Sequence, residues 1–122
     1  MFANRVAVVT GAGRGIGRAI ARRLAAGGAS VCLLDVDEAG LQNTCRELTA
    51  DGRRAAAIQT DVTRRDEVDA AMAEAVRQFG RLDILVNNAG VIRDILFFKM
   101  TASDWDTVMD VHLKGAFHCT QA

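Results

Sequence analysis

The 122-residue sequence predicts an α/β fold, a doubly wound parallel sheet with helices packed on both faces. Three observations carry that prediction. Strand-like and helix-like segments alternate along the whole chain. The strand segments are near-continuous apolar runs, the pattern of parallel strands buried on both sides. Glycines stop three helical segments in turn: Gly27 with Gly28, then Gly52, then Gly80.

"VAVV" (6–9) is a short β-branched run bounded by Thr10 and a glycine cluster, and reads as the first strand. A helix follows over about residues 15–26, with Ile16, Ile20 and Leu24 on one face. "SVCLLD" (30–35) is the second strand. Asp37 is placed to cap the next helix, whose Leu41, Cys45 and Leu48 share a face. "AAAIQT" (55–60) is read as the third strand mainly from its place in the alternation. Thr63-x-x-Asp66 has the spacing of a capping box. Val68, Ala71, Met72, Ala75, Val76 and Phe79 then recur at helical spacing, the clearest amphipathic pattern in the chain. "LDILVN" (82–87) is the fourth strand. Residues 88–100 read as loop. A last helix starts at Thr101, with Asp104 completing a second capping box, and runs on unless Gly115 bends it.

Fifteen basic residues balance fifteen acidic ones, which argues against nucleic acid or an anionic membrane surface as the main partner. No apolar run approaches the roughly 18 residues of a membrane span. The chain enters its first strand at once, without a signal-peptide layout. Cys32, Cys45 and Cys119 are odd in number, far apart and without a C-x-x-C pair. Free thiols in a reducing cytoplasm fit them better than disulfides or a metal site. His112 and His118 are six residues apart, the wrong spacing for a metal pair on one helix face.

The chemistry-bearing motif is "TGAGRGIG" (10–17), between the first strand and the first helix. It fits no register of G-x-G-x-x-G, but it does fit T-G-x-x-x-G-x-G. Glycines there let the backbone turn tightly and approach a pyrophosphate, whose charge faces the N–H groups of the helix start. Gly11, Arg14, Gly15, Ile16 and Gly17 are therefore cofactor-binding candidates, Gly17 also allowing close helix–strand packing. The plain alternative is an ordinary turn. Three glycines in register in the first β-α-β unit favour dinucleotide binding. Asp35 ends the second strand, where a carboxylate accepts hydrogen bonds from a ribose diol and repels a 2′-phosphate. It favours NAD over NADP. Arg14 opposes it, as a possible partner of a 2′-phosphate, and helix capping is the plain alternative for Asp35.

These residues resemble the short-chain dehydrogenase/reductase family over the whole chain. "TGAGRGIG" is similar to its cofactor turn. Asp61-Val62, after the third strand, is similar to its adenine-contacting pair. "NNAG" (87–90), with Asn88, Ala89 and Gly90, is similar to the signature that supports the sheet beside the cofactor. Residues 90–115 further resemble the 3-oxoacyl-thioester and acetoacetyl-CoA reductases of the family and its hydroxyacyl-CoA dehydrogenases. The resemblance implies a Rossmann-like sheet in the order 3-2-1-4, incomplete here, its fourth strand left as an edge open to pairing with another copy. It also implies hydride transfer between a nicotinamide and a small-molecule carbonyl or alcohol, including an acyl thioester.

The family's catalytic set is asparagine, serine, tyrosine and lysine, with tyrosine as the acid/base. The chain has no tyrosine, and its only serines are Ser30 and Ser103. The family's serine and Tyr-x-x-x-Lys fall beyond residue 122. The expectation is therefore a truncated oxidoreductase, inactive as a 122-residue chain, that retains the cofactor half. In the family's V-N-L-x-G run this chain has "VHLKG", which puts His112 at the asparagine position. A packed, hydrogen-bonded histidine is the plainer reading of it. Phe97, Phe98 and Met100 are candidates for an acyl-pocket wall or for simple packing. The alternative function is a non-catalytic nucleotide-binding or assembly half-domain. A flavodoxin-like FMN module shares the alternation but leaves "TGAGRGIG" and "NNAG" unexplained.

Overall fold

The computed structural model describes residues 2–88 and Cys119. The chain runs β1 (Val6–Thr10), α1 (Gly15–Ala26), β2 (Ser30–Asp35), α2 (Glu38–Ala50), β3 (Ala55–Gln59), α3 (Arg65–Phe79) and β4 (Ile84–Val86). All three pairings are parallel, and the strand order is β3-β2-β1-β4. Val6 lies opposite Ser30, Val31 opposite Ala55, and Ala7 opposite Ile84. The expected alternation and the 3-2-1-4 order are both present.

Strand side chains point alternately to opposite faces, and here both faces are covered. Ala7, Val9, Val31 and Leu33 share one apolar cluster with Ala21, Leu24 and Ala25 of α1 and Leu41 and Leu48 of α2. Val8, Cys32 and Leu34 point the other way, into a cluster with Val62, Val68, Ala71, Met72, Ala75 and Cys119. Val8, Val9, Val31, Leu33 and Leu34 have no solvent exposure. Each such side chain contributes about 1.5–3 kcal/mol of apolar burial. Cys119 is helical and buried, which agrees with the expected last helix at that residue. The rest of that helix, the loop over 88–100 beyond Asn88, and Phe97, Phe98 and Met100 lie outside the described residues.

The helix ends follow local chemistry. Asp37 caps α2, its carboxylate accepting from the Gly40 N–H at 3.1 Å. Gly80 closes α3 in the left-handed conformation. Two expectations are corrected. The Thr63-x-x-Asp66 capping box does not form, because Thr63 is already engaged one step earlier. Its N–H and hydroxyl both donate to Asp61 Oδ1, at 2.9 and 2.7 Å. Glu67 makes the reciprocal bond, accepting from the Asp61 N–H at 3.1 Å. Ile16 is also not on the buried face of α1: it is 73% exposed. The buried positions are Gly17, Ala21, Leu24 and Ala25, because Gly17 must face the preceding turn.

At the start of the sheet, Asp83 joins β4 to β1. Its N–H donates to the Val6 carbonyl, and its Oδ2 accepts from the Val6 N–H, both at 2.9 Å. Among the described residues, no strand pairs with the outer edge of β4. No helix among them is long and apolar enough to cross a membrane.

Candidate functional site

Parallel strands all end on one edge of their sheet, and the candidate residues gather there. β1 ends in Thr10 and runs into the glycine turn; β2 ends in Asp35; Asp61 follows β3; Asn88 follows β4. The chain lays down β1, β2 and β3 side by side, then crosses to the other side of β1 for β4. Between β1 and β4 the direction of winding reverses. In open α/β sheets the ligand crevice lies there, outside the carboxyl ends of the strands.

The glycine turn crosses this crevice. Gly11 and Gly15 have φ of 66° and 58°, the left-handed region that a side chain disfavours. A Cβ on Gly15 would meet nothing within 4 Å, so the space beside it is open. Gly17 is glycine for lack of room. A Cβ there would lie 2.1 Å from the Gly11 carbonyl oxygen and 2.5 Å from Asn88 Nδ2. The α1 terminus that follows is bare. Arg14 stands at its N-cap with extended backbone and no side-chain capping bond, and its first turn has no acidic residue. The other helices differ: α2 has Asp37 and Glu38 at its start, and α3 has Asp66 and Glu67. N–H groups without intrahelical partners and the positive end of the dipole favour negative charge at the α1 start. Arg14, Gly15 and Ile16 are all exposed around it.

Asn88 is tied into the same turn. Its N–H donates to Thr10 Oγ1 at 2.9 Å, and its Nδ2 donates to the Gly11 carbonyl at 3.4 Å. The Thr10 hydroxyl in turn donates to the Val86 carbonyl at 3.3 Å. β4 and the glycine turn are thus joined across the crevice.

Asp35 also closes on the turn. Its Oδ2 accepts from the Gly13 N–H at 2.9 Å and its Oδ1 from the Asp37 N–H at 3.1 Å. Helix capping, the plain alternative for Asp35, falls to Asp37 instead. α2 braces the far side: the buried Thr44 hydroxyl lies 3.1 Å from the carbonyls of Ala12 and Gly40 and donates to them. Gly13 and Thr44 are the members that sequence reasoning missed. Gly13 had a signal, as the extra glycine within the T-G-x-x-x-G-x-G spacing. Thr44 had a weaker one, its place on the Leu41, Cys45, Leu48 face.

Asp61 is half-buried, and its Oδ1 starts the turn into α3 through Thr63. Val62 is buried in the α3-side core. Asp61 stands beside Asp35 along the strand ends, since Gln59 pairs with Asp35 and the Thr60 N–H donates to the Asp35 carbonyl at 2.8 Å. Ala89, Gly90 and His112 lie outside the described residues.

The thiols take no part in this edge. Cys32, Cys45 and Cys119 are free. Burial pushes the Cys32 thiol up to about 12, and also raises Cys45 and Cys119. Such thiols are poor nucleophiles and poor metal ligands. Among the described residues, no group of His, Cys, Asp and Glu is arranged to hold a metal ion.

The family model described as short chain dehydrogenase matches residues 5–122. The 3-oxoacyl-[acyl-carrier-protein] reductase FabG of Staphylococcus epidermidis is 45% identical, over 97% of this chain and 49% of that protein. A short chain dehydrogenase/reductase from Burkholderia phymatum, solved in complex with NAD, matches with a TM-score of 0.95 at 38% identity, over 98% of this chain and 43% of that one. A blue fluorescent protein from a metagenomic library, solved in complex with NADPH, matches with a TM-score of 0.90 at 39% identity, over 99% and 50%. The chain spans about half the length of the curated relatives it matches. The glycine turn, the 3-2-1-4 sheet and a family match over nearly every residue agree: the chain belongs to the short-chain dehydrogenase/reductase family.

Proposed function

We propose that this chain is the cofactor-binding half of an NAD(P)-dependent oxidoreductase, with NAD preferred. The observation that carries the reading is the bare start of α1, with no capping side chain and no acid in its first turn, opened by two left-handed glycines. An anionic pyrophosphate fits that donor set. Gly11, Arg14, Gly15, Ile16 and Gly17 would border it. Asp35 would accept from the adenosine ribose, Asp61 and Val62 would border the adenine, and Asn88, Ala89 and Gly90 would border the nicotinamide side. When bound, the dinucleotide supplies the hydride-transferring ring.

The preference for NAD rests on Asp35, whose carboxylate at the end of β2 opposes a 2′-phosphate. Arg14 is the counterweight, exposed on the neighbouring turn. Relatives solved with NAD and with NADPH support nicotinamide binding without choosing between the two. For the whole protein we propose reduction of a carbonyl in a small molecule or acyl thioester, on the similarity to a 3-oxoacyl-[acyl-carrier-protein] reductase. The 122 residues contain no tyrosine, so the acid/base that the family uses is not among them. Binding and turnover therefore separate. Three free thiols fit a reducing compartment, and a cytoplasmic location is proposed with it.

The test is a fluorescence titration of the 122-residue protein, its mass verified, with NADH and NADPH, followed by addition of acetoacetyl-CoA. The expected result is NADH binding tighter than NADPH, with no oxidation. No binding of either dinucleotide refutes the cofactor reading. Oxidation of NADH by this chain refutes the division of labour. A flavin absorption band in the purified protein would point to the FMN module instead.

A further inference from the structure

We infer that Gly13 is a positioning residue for cofactor selectivity, acting by holding the Asp35 carboxylate through its backbone amide. This rests on the reading of the turn as a dinucleotide site. A carboxylate has about four acceptor positions, two on each oxygen. In the folded chain one position on each oxygen is taken by a backbone donor: Oδ2 by the Gly13 N–H at 2.9 Å and Oδ1 by the Asp37 N–H at 3.1 Å. Two fixed donors hold the carboxylate plane. Each oxygen keeps one acceptor position, and together they match the two adjacent hydroxyls of an adenosine ribose. The same fixation keeps the negative charge from swinging away from a 2′-phosphate, so it serves discrimination as well as affinity.

Glycine at this position leaves the Asp35 carboxylate room to sit against the amide. A Cβ at this position would lie 2.9 Å from Asp35 Oδ2 and 3.3 Å from the Leu41 nitrogen. Its backbone is not among the left-handed glycines, so an alanine is conformationally allowed there and the conflict is with the carboxylate and α2. The support behind Gly13 is itself built. The Ala12 carbonyl before it accepts from the buried Thr44, and the Ala12 N–H donates to the Leu34 carbonyl at 3.2 Å. A Cβ on Gly40 would lie 2.7 Å from the Gly13 carbonyl oxygen, so α2 packs directly on the turn. The residue that reads the ribose and the loop that meets the pyrophosphate are thus one mechanical unit.

The experiment is a double-variant cycle on the full protein: unsubstituted, Gly13→Ala, Asp35→Ala and both together, each titrated with NADH and with NADPH. Gly13→Ala is expected to weaken NADH binding about tenfold and NADPH binding far less, the size of one charge-assisted contact. Asp35→Ala is expected to abolish the preference. In the Asp35→Ala background, adding Gly13→Ala is expected to change neither affinity by more than about twofold, since the partner it displaces is gone. Equal weakening for both dinucleotides, or an undiminished Gly13→Ala effect in that background, overturns the inference and leaves the cofactor reading intact. If Gly13→Ala alone does not fold, a double variant that recovers the melting midpoint of Asp35→Ala supports the coupling; one equally unfolded overturns it. Absence of dinucleotide binding by the unsubstituted protein refutes the cofactor reading, and this inference with it.

Discussion

Gly17→Ala sets local propensity against packing, and packing should win. Gly17 is the third residue of α1. In a helix interior, alanine is favoured over glycine by about 1 kcal/mol. Propensity alone therefore predicts a more stable protein. The added methyl would sit 2.1 Å from the Gly11 carbonyl oxygen, 2.5 Å from Asn88 Nδ2 and 2.7 Å from the Gly11 carbonyl carbon. Two of these three contacts are backbone, so no side chain can rotate away. The start of α1 and the turn must separate by about 1 Å to restore normal contact, in an interior packed to crystal density. Overpacking of that kind costs about 1–3 kcal/mol, and here it also stretches the Asn88–Gly11 bond. Because the clash is with backbone, the cost falls in the upper part of that range, about 2–3 kcal/mol. The net is then a loss of about 1–2 kcal/mol, or a melting midpoint lower by roughly 3–12 °C for a chain of this length. Thermal unfolding followed by circular dichroism measures it. Gly15→Ala is the control: its Cβ meets nothing within 4 Å, so only the left-handed backbone opposes it, at about 1 kcal/mol. A Gly17→Ala protein that melts at or above the unsubstituted temperature would show that α1 and the turn are not in contact as described.

Thr44→Val removes the hydroxyl that serves the buried Ala12 carbonyl and is expected to cost about 1–3 kcal/mol by chemical denaturation, with Thr44→Ser restoring most of it. The Asp83 carboxyl is held below its ordinary value, first by the Arg81 guanidinium and then by the Val6 N–H. Its stabilisation is therefore present above the unfolded carboxylate range and lost as pH falls through the lower folded value. Asp83→Asn should lower the melting midpoint at pH 7, and the gap to the unsubstituted protein should close as pH falls below about 4. Cys32, pushed up to about 12 by burial, should resist iodoacetamide at pH 8 in the folded protein and react once denatured, as read by intact mass.

What was legible in the sequence was whatever depends on period and punctuation. The bounds of α1 and β2 are those read from apolar runs and glycines, and Asp37 caps α2 from its place alone. What was illegible depended on rotation and on competition between neighbours. Ile16, Ile20 and Leu24 are a fair apolar stripe, but the demand that Gly17 face the Gly11 carbonyl turns α1 so that Ile16 points outward. Thr63 and Asp66 have capping-box spacing, yet Asp61 reaches the Thr63 N–H and hydroxyl first. In the site, the positions of Gly11, Gly15, Gly17 and Asp35 were legible from the motif. The bond from Gly13 to Asp35 was not, because it spans 22 residues and joins a side chain to a backbone amide.

β4 pairs with β1 over only three residues, Ile84 to Val86, a short ladder for the strand that makes one wall of the crevice. Polar bonds lengthen it at both ends. Before the ladder, Asp83 returns both Val6 backbone groups, one with its own N–H and one with its carboxylate. After it, the Asn88 N–H donates to Thr10 Oγ1 and its Nδ2 to the Gly11 carbonyl, while the Thr10 hydroxyl donates to the Val86 carbonyl. Side chains here do what further ladder bonds do in a longer strand, and they do it where the two strands must diverge. Continued β pairing beyond Val86 would fill the gap at the switch point. Ending the ladder there and fixing the strand ends by side chains lets the two strands diverge while they stay joined. Asn88 thereby has a mechanical reason to follow an apolar strand: it ties the end of β4 to Thr10 and to the Gly11 carbonyl of the glycine turn that leads into α1.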